Sequence, residues 1–469
     1  MAKDFYNRKN ELGILKAKHE DLGSGQMLAI YGRRRVGKTE LIKEFLSKLP
    51  NKEKLYIYID LSSRQEILNT ITASVHDQLG ETVRFDNFGE FLAYLKKKAE
   101  HSKFVLAIDE FPRLLSIAPE FITKLQNEWD SRLRHEKIMV ILVGSSIGMM
   151  QKITESKAGA LYGRATRLKV SPFRYADFRL MFTELTEEQK IERFAVFGGT
   201  PYYLAMTKGI GSTREAIISL TLKKGGDLAE EPKALMEFEN VRAHAKYNSI
   251  LHSIASGRDT LKDIADFTKL KNTVMPAYIK KMDELLDIIG KNDPMLGKER
   301  TGKYAIRDNF FRFWYRFIFP NQTSLSLGNE KIAMKAIDDD LNSYTGRIFE
   351  DVCRELLTLY LNRKIKGTEI SFDSIGAWWD RNTNEVDIVA NNKDERKVYA
   401  GEVKWTNHPC GIDVLNSLIE KSKMIPLSGT YQFMLISKSG FTDECISKMK
   451  QINALHLDLK DIQKLFDSA

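Results

Sequence analysis

One eight-residue motif restricts the fold of this 469-residue chain more than any other feature. Residues 32–39, GRRRVGKT, match the pattern GxxxxGK[ST] in full. The motif directly follows a short apolar run at 26–31 (QMLAIY) and directly precedes an amphipathic helix predicted at 40–49. Between a strand and a helix, the backbone N–H groups of such a loop surround the phosphates of a nucleotide. The sequence therefore predicts a nucleotide-binding α/β domain.

The residues of this motif have separate roles in nucleotide binding. Gly32 and Gly37 allow the loop to curl around the phosphates, and Arg35 adds positive charge near them. Lys38 is expected to reach the β- and γ-phosphate oxygens, and Thr39 to hold Mg²⁺ through its hydroxyl group. The motif therefore predicts ATP and Mg²⁺ as cofactors.

A second apolar strand, predicted at 104–108, ends in two acidic residues. Asp109 is expected to bind Mg²⁺, directly or through water. Glu110 is expected to orient and deprotonate the attacking water, which is the general-base role in hydrolysis. Alone this pattern is weak, because apolar strands that end in acids also occur by chance. Together with the phosphate loop it predicts ATP hydrolysis.

Two further elements follow in the same stretch. Ser145 and Ser146 end a strand predicted at 139–143, where a polar side chain could sense the γ-phosphate or simply cap a helix. Arg164 directly precedes a strand predicted at 166–170. It could stabilise transition-state charge in the site of a neighbouring subunit, in which case the protein would be a homo-oligomer. The alternative is an ordinary surface arginine.

Composition limits the class of protein. With 43% hydrophobic and 29% charged residues the chain resembles a soluble α/β protein, and its length suggests three domains. No apolar run approaches the roughly 20 residues that span a bilayer, and the N-terminus lacks a signal-peptide pattern. Three widely spaced cysteines suit a reducing compartment, so we expect a cytoplasmic protein with no membrane partner. The net charge of +9 favours an anionic partner such as nucleic acid.

The middle of the chain suggests a small DNA-binding module. Helices are predicted at 247–256, 260–267 and 272–288, followed by a glycine- and lysine-rich hairpin at 290–307. This order is typical of a winged helix, whose third helix can enter a major groove, although many winged helices are protein-interaction or spacer modules. The aromatic run at 309–319 is predicted to be a helix that buries its rings between domains.

A second group of acids lies near the C-terminus. A hairpin predicted from strands 385–389 and 398–404 would place Asp387 and Glu402 side by side. Lys404 would point to the same face as Glu402, because side chains in a strand alternate with a period of two. The alternative is a ladder of surface ion pairs on a hairpin.

Glu350 offers a third acid, in a helix predicted to begin near Thr345. Two carboxylates such as those of the hairpin can hold Mg²⁺, which prefers oxygen ligands. The metal and a lysine can then activate water for attack on a phosphodiester. These residues therefore predict a metal-dependent nuclease site.

Several motifs occur together in a fixed order: residues 5–12, the phosphate loop, IDEF, VGSS, LYGR and FGGTPYYL. In this the chain resembles the archaeal-type ATPase family, a relative of the AAA+ and STAND P-loop ATPases. The resemblance implies that residues 5–12 pack near the adenine and that Pro201, in a GxP element, approaches the nucleotide. It also gives Arg164 the position of an arginine finger, although the sensor-2 arginine of a standard AAA+ lid is not apparent.

The resemblance extends over the whole chain, because these ATPases commonly carry a winged helix and a C-terminal nuclease-like domain. The order of the C-terminal elements resembles the PD-(D/E)xK restriction-endonuclease fold. We therefore predict an α/β protein with a P-loop ATPase core, a helical lid, a winged helix and a nuclease-like domain, at 1–174, 175–240, 241–320 and 332–469.

The predicted function is ATP binding and hydrolysis coupled to the binding of double-stranded DNA and its metal-dependent cleavage. The alternative is a STAND-like switch in which the C-terminal domain only binds nucleic acid or protein.

Overall fold

The computed structural model describes residues 5–60, 63–238, 244–271, 273–296, 302–380 and 384–469. The chain divides into two compact units, which are described separately. One comprises Met1–Pro172 with Lys280–Asp287, and the other Phe173–Ile279 with Ile288–Ala469.

The first unit is built on a parallel sheet whose strands lie in the order β2-β3-β4-β1-β5. Its strands are β1 (Gln26–Tyr31), β2 (Lys54–Tyr58), β3 (Phe104–Asp109), β4 (Ile138–Gly144) and β5 (Thr166–Lys169). Its helices are α1 (Lys9–Glu20), α2 (Lys38–Ser47), α3 (Arg64–Leu79), α4 (Phe88–His101), α5 (Phe111–Ile117), α6 (Glu120–Ser131) and α7 (Ile147–Thr154), with 3₁₀ turns at Asn51–Glu53 and Leu133–His135.

The central strands of this sheet are apolar on both faces, as a parallel sheet covered by helices requires. Strands β3 and β4 are buried along their whole length, and a hydrophobic cluster packs on each face of the sheet. The strands predicted at 26–31, 104–108 and 139–143 are confirmed to within one residue. Because the strands are parallel, the phosphate loop after β1 and the acids after β3 meet at one edge of the sheet.

The second unit begins with helices and a hairpin. These are α8 (Tyr175–Arg179), α9 (Glu187–Phe197), α10 (Pro201–Thr207), α11 (Thr213–Ile217), α12 (Glu231–Phe238), α13 (His244–Ala255), α14 (Leu261–Thr268), α15 (Met275–Lys280), the strands β6 (Ile289–Asn292) and β7 (Lys303–Ile306), α16 (Asn309–Phe313) and α17 (Gln322–Ser326). Wider π turns extend two of these helices at Ile218–Leu222 and Trp314–Ile318, and a 3₁₀ turn follows at Phe319–Asn321. The π turn at Lys281–Leu285, which continues α15 along the chain, belongs to the first unit. Helices α13 to α15 and the antiparallel hairpin β6–β7 occur in the predicted order.

The aromatic run after this hairpin is buried, as predicted. Its rings are at most 3% exposed at Phe310, Phe311, Phe313, Trp314 and Phe317. Such complete burial leaves no ring of this set on the surface, so the run contributes to the core of the second unit.

The second unit ends with a long helix and a mixed sheet. Its elements are α18 (Glu330–Leu359), β8 (Arg363–Ile365), β9 (Thr368–Ile370), β10 (Ser374–Trp379), β11 (Glu385–Asn392), β12 (Lys397–Lys404), α19 (Ile412–Ser422), β13 (Thr430–Ser437), α20 (Asp443–Gln451), β14 (Leu455–Leu457) and α21 (Leu459–Ser468). The sheet has the order β10-β11-β12-β13-β14, antiparallel from β10 to β12 and parallel from β12 to β14. Helix α19 makes the crossover that the parallel pairing of β12 and β13 needs.

Helix α18 differs from the prediction. It begins at Glu330 rather than near Thr345, because Ala333, Met334 and Ile337 share a buried face one turn apart and no proline or glycine interrupts them. Within the described ranges, no helix is both long enough and apolar enough to cross a lipid bilayer.

Helix α18 is also tied to the start of the second unit. The carboxylate of Glu355 accepts hydrogen bonds from the backbone N–H groups of Tyr175 and Ala176, at 3.0 and 2.9 Å. These N–H groups lie in the first turn of α8, where helix donors have no partner within the helix. The Glu355 carboxylate therefore fixes the N-terminal end of α8 against α18.

Candidate active sites

The phosphate loop holds its lysine close. The Lys38 ammonium donates to the carbonyl oxygens of Gly32 and Arg33, both at 2.8 Å, and the side chain is buried. Gly37 adopts φ 91°, in the left-handed region that favours glycine, and turns the chain into α2. A side chain at Gly32 would place its Cβ 2.1 Å from the carbonyl oxygen of Val170. Both glycines are therefore required by the path of the loop.

The N-terminal segment packs against this loop. The Arg8 guanidinium donates to the carbonyl oxygen of Val36 at 2.8 Å, and Arg8 is almost completely buried. Phe5 and Leu12 pack on the hydrophobic cluster that contains Val36 and one face of α2. The segment is thus fixed beside the loop, and its contact with adenine stays a prediction.

Two hydroxyl groups converge on one oxygen of the acid after β3. The Thr39 hydroxyl donates to Asp109 Oδ2 at 2.7 Å, and the Tyr56 hydroxyl donates to the same oxygen at 2.9 Å. Burial, and then the Asp109 carboxylate, raise the pKa of Tyr56 well above its usual range, so the tyrosine stays a donor. The two predicted Mg²⁺ ligands, Thr39 and Asp109, therefore lie together, and their oxygen atoms suit that ion.

Tyr56 was missed by the sequence analysis. It lies on β2, the neighbour of β3 in the sheet. The order of strands in a sheet depends on tertiary packing, so the sequence contained only a weak signal that Tyr56 lies beside Asp109.

The predicted general base contacts the predicted sensor. Ser145 donates from its hydroxyl to Glu110 Oε1 at 2.9 Å. Glu110 adopts φ 55°, an uncommon left-handed conformation for a residue with a side chain. Ser146, at the N-cap of α7, makes no side-chain hydrogen bond to the helix within the described part of the chain. The Ser145 hydroxyl group at the strand end thus contacts Glu110, the predicted general base, and among the described residues Ser146 does not cap the helix through its side chain.

Arg164 is held within its own subunit. Its guanidinium donates to both carboxylate oxygens of Asp130, at 2.8 and 2.6 Å, and 27% of its side chain is exposed. The hydrogen bonds from Arg164 lower the pKa of Asp130. A role in a neighbouring site would require the guanidinium to leave Asp130, and it stays a prediction.

The GxP element is rigid. Thr200 donates from its hydroxyl to Asp308 Oδ2 at 3.0 Å, and both residues are buried. A Cβ at Gly199 would lie 1.8 Å from the carbonyl oxygen of Phe173, so only glycine fits. Pro201 begins α10. The approach of Pro201 to the nucleotide stays a prediction.

The C-terminal acids lie on adjacent strands. The pairing of β11 with β12 includes Ile388 and Gly401, so Asp387 and Glu402 follow side by side. Asp387 Oδ2 accepts a hydrogen bond from the backbone N–H of Val403 at 2.8 Å. The predicted hairpin and its register are confirmed.

Two lysines neutralise one oxygen of Glu402 and leave the other without a partner. Lys404 Nζ lies 2.8 Å and Lys421 Nζ 3.3 Å from Glu402 Oε1, and Lys404 Nζ lies 3.8 Å from Asp387 Oδ2. Burial alone would lower the pKa of Lys404, but the carboxylates of Glu402 and Asp387 outweigh it and raise it. Glu402 Oε2 is buried and has no hydrogen-bond partner among the described residues. A buried acceptor left unpaired is costly, and a cation would satisfy it.

Glu350 joins this group from α18. Burial, and then the Asp387 carboxylate, raise the pKa of Glu350 to about 8. Burial, and then Glu402, raise the pKa of Asp387 to about 6. The Arg354 guanidinium, which the sequence analysis missed, donates to the Asp387 carbonyl oxygen and lies 3.8 Å from Glu350 Oε2. Three acids, Glu350, Asp387 and Glu402, thus lie together with two lysines and one arginine.

The acids do not form a complete metal site by themselves. In the part of the chain that is described, no group of three or more His, Cys, Asp or Glu side chains is arranged to hold a metal ion. Mg²⁺, however, is usually bound by one or two carboxylates, with waters and substrate phosphates as the other ligands. Asp387 and Glu402, with the unpaired Glu402 oxygen, fit that smaller set.

Comparison with known proteins agrees with the first of these sites. Residues 5–207 match an ATPase domain found predominantly in Archaea, and residues 314–419 match a domain described as Archaea bacterial proteins of unknown function. The uncharacterized protein MJECL04 of Methanocaldococcus jannaschii is 30% identical over 440 residues, which is 92% of this chain and 95% of that protein. The chain belongs to the archaeal ATPase family.

Two other similarities of this ATPase cover less of the chain. The uncharacterized ATP-binding protein MJ0423 of M. jannaschii is 52% identical over 42 residues, or 9% of this chain and 70% of that protein. The Walker-type ATPase PABY2304 of Pyrococcus abyssi has a similar fold, with a TM-score of 0.52 and 19% identity over 67% of this chain and 97% of that one. Family and fold support ATP binding and hydrolysis.

Proposed function

We propose that this ATPase couples its nucleotide state to DNA binding and to metal-dependent DNA cleavage by its C-terminal sheet domain. Residues 1–174 would form the ATPase core, 175–240 a lid, 241–320 a winged helix, and 332–469 a nuclease-like domain. The three helices and hairpin from α13 to β7 support the winged-helix assignment. Helix α18, strands β10 to β12, helix α19 and strand β13 support the nuclease-like assignment.

In the ATPase core, each side chain has one task. Lys38 would exchange its carbonyl partners for the β- and γ-phosphate oxygens. Thr39 and Asp109 would hold Mg²⁺, which neutralises developing phosphate charge. Glu110, oriented by Ser145, would position and deprotonate the attacking water. Arg164 would act on the site of a neighbouring subunit after releasing Asp130.

One observation carries the proposal for the C-terminal domain. The Glu402 carboxylate is buried beside Lys404, yet its Oε2 atom has no partner among the described residues. Asp387 and Glu402 would hold Mg²⁺, which lowers the pKa of bound water and polarises a phosphoryl group. Lys404, 2.8 Å from Glu402, lies where it can orient the water. Glu350 would serve as the third acid.

A second candidate function is a nucleotide-controlled switch whose C-terminal domain binds nucleic acid or protein without cleaving it. Lys404, Lys421 and Arg354 already contact the three acids and supply the balancing charge. A site neutralised by its own side chains can persist in a domain that only binds.

A plasmid-nicking assay separates the two candidates. The full chain is incubated with supercoiled DNA, with and without ATP and Mg²⁺, beside the variants Lys404→Ala and Lys423→Ala. Lys423, just after α19, is exposed, pairs with Glu420 and does not line the cleft that contains the acids, so it is the control. Nicking that needs Mg²⁺ and is lost only in Lys404→Ala supports cleavage. No nicking under any nucleotide supports the switch.

A further inference from the structure

We propose that the C-terminal acids act on an unpaired strand of DNA, which binds in a cleft beside them. This inference rests on the cleavage function proposed above and deepens it by naming the form of the substrate. The cleft lies within the second unit, where β7 and the ends of α13 and α16 face α18 and the sheet.

The size of the cleft favours a strand over a duplex. Its volume is about 530 Å³, and Asp387 and Glu402 line it. Pockets of about 300–1,000 Å³ take drug-sized ligands, so one or two nucleotides fit. The major groove of a duplex is by itself about 12 Å wide. A cleft of this size is better matched to a splayed or single strand than to a continuous double helix.

The charges of the cleft suit a phosphodiester chain. Among the described residues, six basic and six acidic side chains line it. Arg347 is the most available of the basic ones, because it is exposed and makes no hydrogen bond or ion pair with any described residue. It precedes Glu350 by three positions on α18, and residues at that spacing share one face of a helix. A guanidinium group therefore stands beside the acids, where the phosphate next to the cleaved one would lie.

Aromatic side chains distinguish an unpaired strand from a duplex. Trp379 lines the cleft and is partly exposed, and the Lys303 ammonium lies 4.8 Å from the centre of its ring. Tyr304 also lines the cleft and is partly exposed. Unpaired bases stack on such rings, whereas the faces of bases inside a duplex are covered by their neighbours. An aromatic ring with a cation beside it is a common platform for single strands.

The buried carboxylate oxygen provides an independent sign of a ligand. Glu402 is 6% exposed, lines the cleft, and leaves its Oε2 atom without a partner among the described residues. Strand β7, which carries Lys303, lines the same cleft. A cation bound to Asp387 and Glu402 would neutralise the acids of the cleft. A phosphate chain that contacts Arg347 and Lys303 would neutralise basic residues of the cleft.

The test is a binding experiment without divalent metal, so that cleavage cannot interfere. Full-length protein is titrated into a fluorescent 12-nucleotide oligo-dT and into a blunt 12-base-pair duplex, and anisotropy is recorded over a range of salt. We compare the wild type with Arg347→Gln, Trp379→Leu and the control Lys335→Gln. Lys335 is exposed on α18 and does not line the cleft, so it removes one charge from the same helix.

We expect the wild type to bind the single strand at least tenfold more tightly than the blunt duplex. Trp379→Leu should weaken strand binding by about tenfold, since stacking on one base is worth about 1–3 kcal/mol. Arg347→Gln should also weaken strand binding, because it removes a phosphate contact. Arg347→Gln should also reduce the slope of log affinity against log salt by about 0.7. Lys335→Gln should match the wild type in strand affinity.

Equal affinity for strand and duplex, or unchanged strand binding in both cleft variants, would overturn the inference. Its failure is distinguishable from failure of the cleavage proposal. Lys404-dependent nicking without a strand preference would remove only the inference drawn from the cleft. A strand preference that depends on Arg347 and Trp379, with no Mg²⁺-dependent cleavage of either the plasmid or the single strand, would support the strand site and refute cleavage.

Discussion

The two groups of acids in this protein are stabilised in opposite ways. At the ATP site, Asp109 accepts hydrogen bonds from two hydroxyl groups and a backbone N–H, and Glu110 accepts one from Ser145. At the C-terminal site, Asp387 and Glu350 have raised pKa values because burial and neighbouring carboxylates oppose their ionisation. Within the described part of the chain, only neutral donors contact the first group, whereas the second is contacted by two lysines and an arginine as well as by one backbone N–H.

This difference indicates two forms of preorganisation. A carboxylate held by hydroxyl groups keeps its position whether or not a cation is bound. Buried carboxylates that repel one another are stabilised when a cation enters. We therefore expect the C-terminal site to respond strongly to pH and metal, and the ATP site to respond to changes in hydrogen bonding.

The largest effect is expected from Glu110→Gln, which removes the proposed base and keeps the shape of the side chain. ATP turnover should fall by about 10²–10⁴-fold, the usual contribution of general-base catalysis. Affinity for a fluorescent ATP analogue should stay within about twofold, because Lys38 and the loop are intact. Phosphate release and anisotropy measure the two quantities, with Glu44→Gln on α2 as the control. Loss of nucleotide affinity together with turnover would contradict the assigned role.

Asp387→Asn should separate the two sites. The affinity of the C-terminal site for Mg²⁺ should fall by at least the 10–100-fold that loss of an outer-shell partner costs. Nicking should fall with it, while ATP turnover stays within about twofold of the wild type. Calorimetric titration with Mg²⁺ and a phosphate-release assay provide the comparison. An equal fall in ATP turnover would show that the two groups of acids do not act independently.

A smaller effect is expected on stability from Glu350→Gln. The pKa of Glu350 is raised from an ordinary 4.5 to about 8, so between these values the native state binds a proton that the unfolded state has released. The free energy of unfolding should therefore fall as pH rises from about 5 to about 8. The Glu350→Gln variant lacks this contribution. The fall in its Tm between about pH 5 and about pH 8 should therefore be smaller than that of the wild type by about 2 °C or more.

Thermal unfolding in metal-free buffer measures this difference, with Glu395→Gln in the turn between β11 and β12 as the control. Mg²⁺ should raise the Tm of the wild type more at pH 8 than at pH 5. An identical pH dependence in the wild type and Glu350→Gln would refute the electrostatic description of this site.

The smallest effect is expected from Tyr56→Phe. This change removes one hydrogen bond to Asp109, and such a bond contributes about 0.5–1.5 kcal/mol. The Mg²⁺ concentration for half-maximal ATP turnover should rise several-fold, with little change in maximal rate. Tyr58→Phe on the same strand is the control, since Tyr58 is 44% exposed. No difference between the two variants would mean that the hydroxyl of Tyr56 does not orient Asp109.

The same comparison explains how much the sequence could predict. The phosphate loop and Asp109 were predictable, because their geometry follows from a short motif between a strand and a helix. The hairpin that joins Asp387 to Glu402 was also predictable, since its register follows from the strand pattern. The charged residues that contact Asp387 and Glu402 from other helices were not predictable.

Lys421 and Arg354 were missed because each reaches the acids from a separate helix. Lys421 arrives through the crossover helix α19, and Arg354 through α18, which begins 15 residues before the predicted start near Thr345. Such contacts depend on how elements pack, which periodicity within one element does not encode.

The length of α18 has a mechanical consequence. Thirty helical residues form a rod of about 45 Å, which bends little under small loads. Glu355 joins this rod to the first turn of α8, and Glu350 lies only about 7.5 Å from Glu355 along the axis, in the C-terminal group of acids. A displacement of the chain segment that enters α8 would therefore move Glu350 together with the helix, because continuous helix joins Glu350 to Glu355 on α18. Strain applied at one end of the rod would change the spacing of the acids directly.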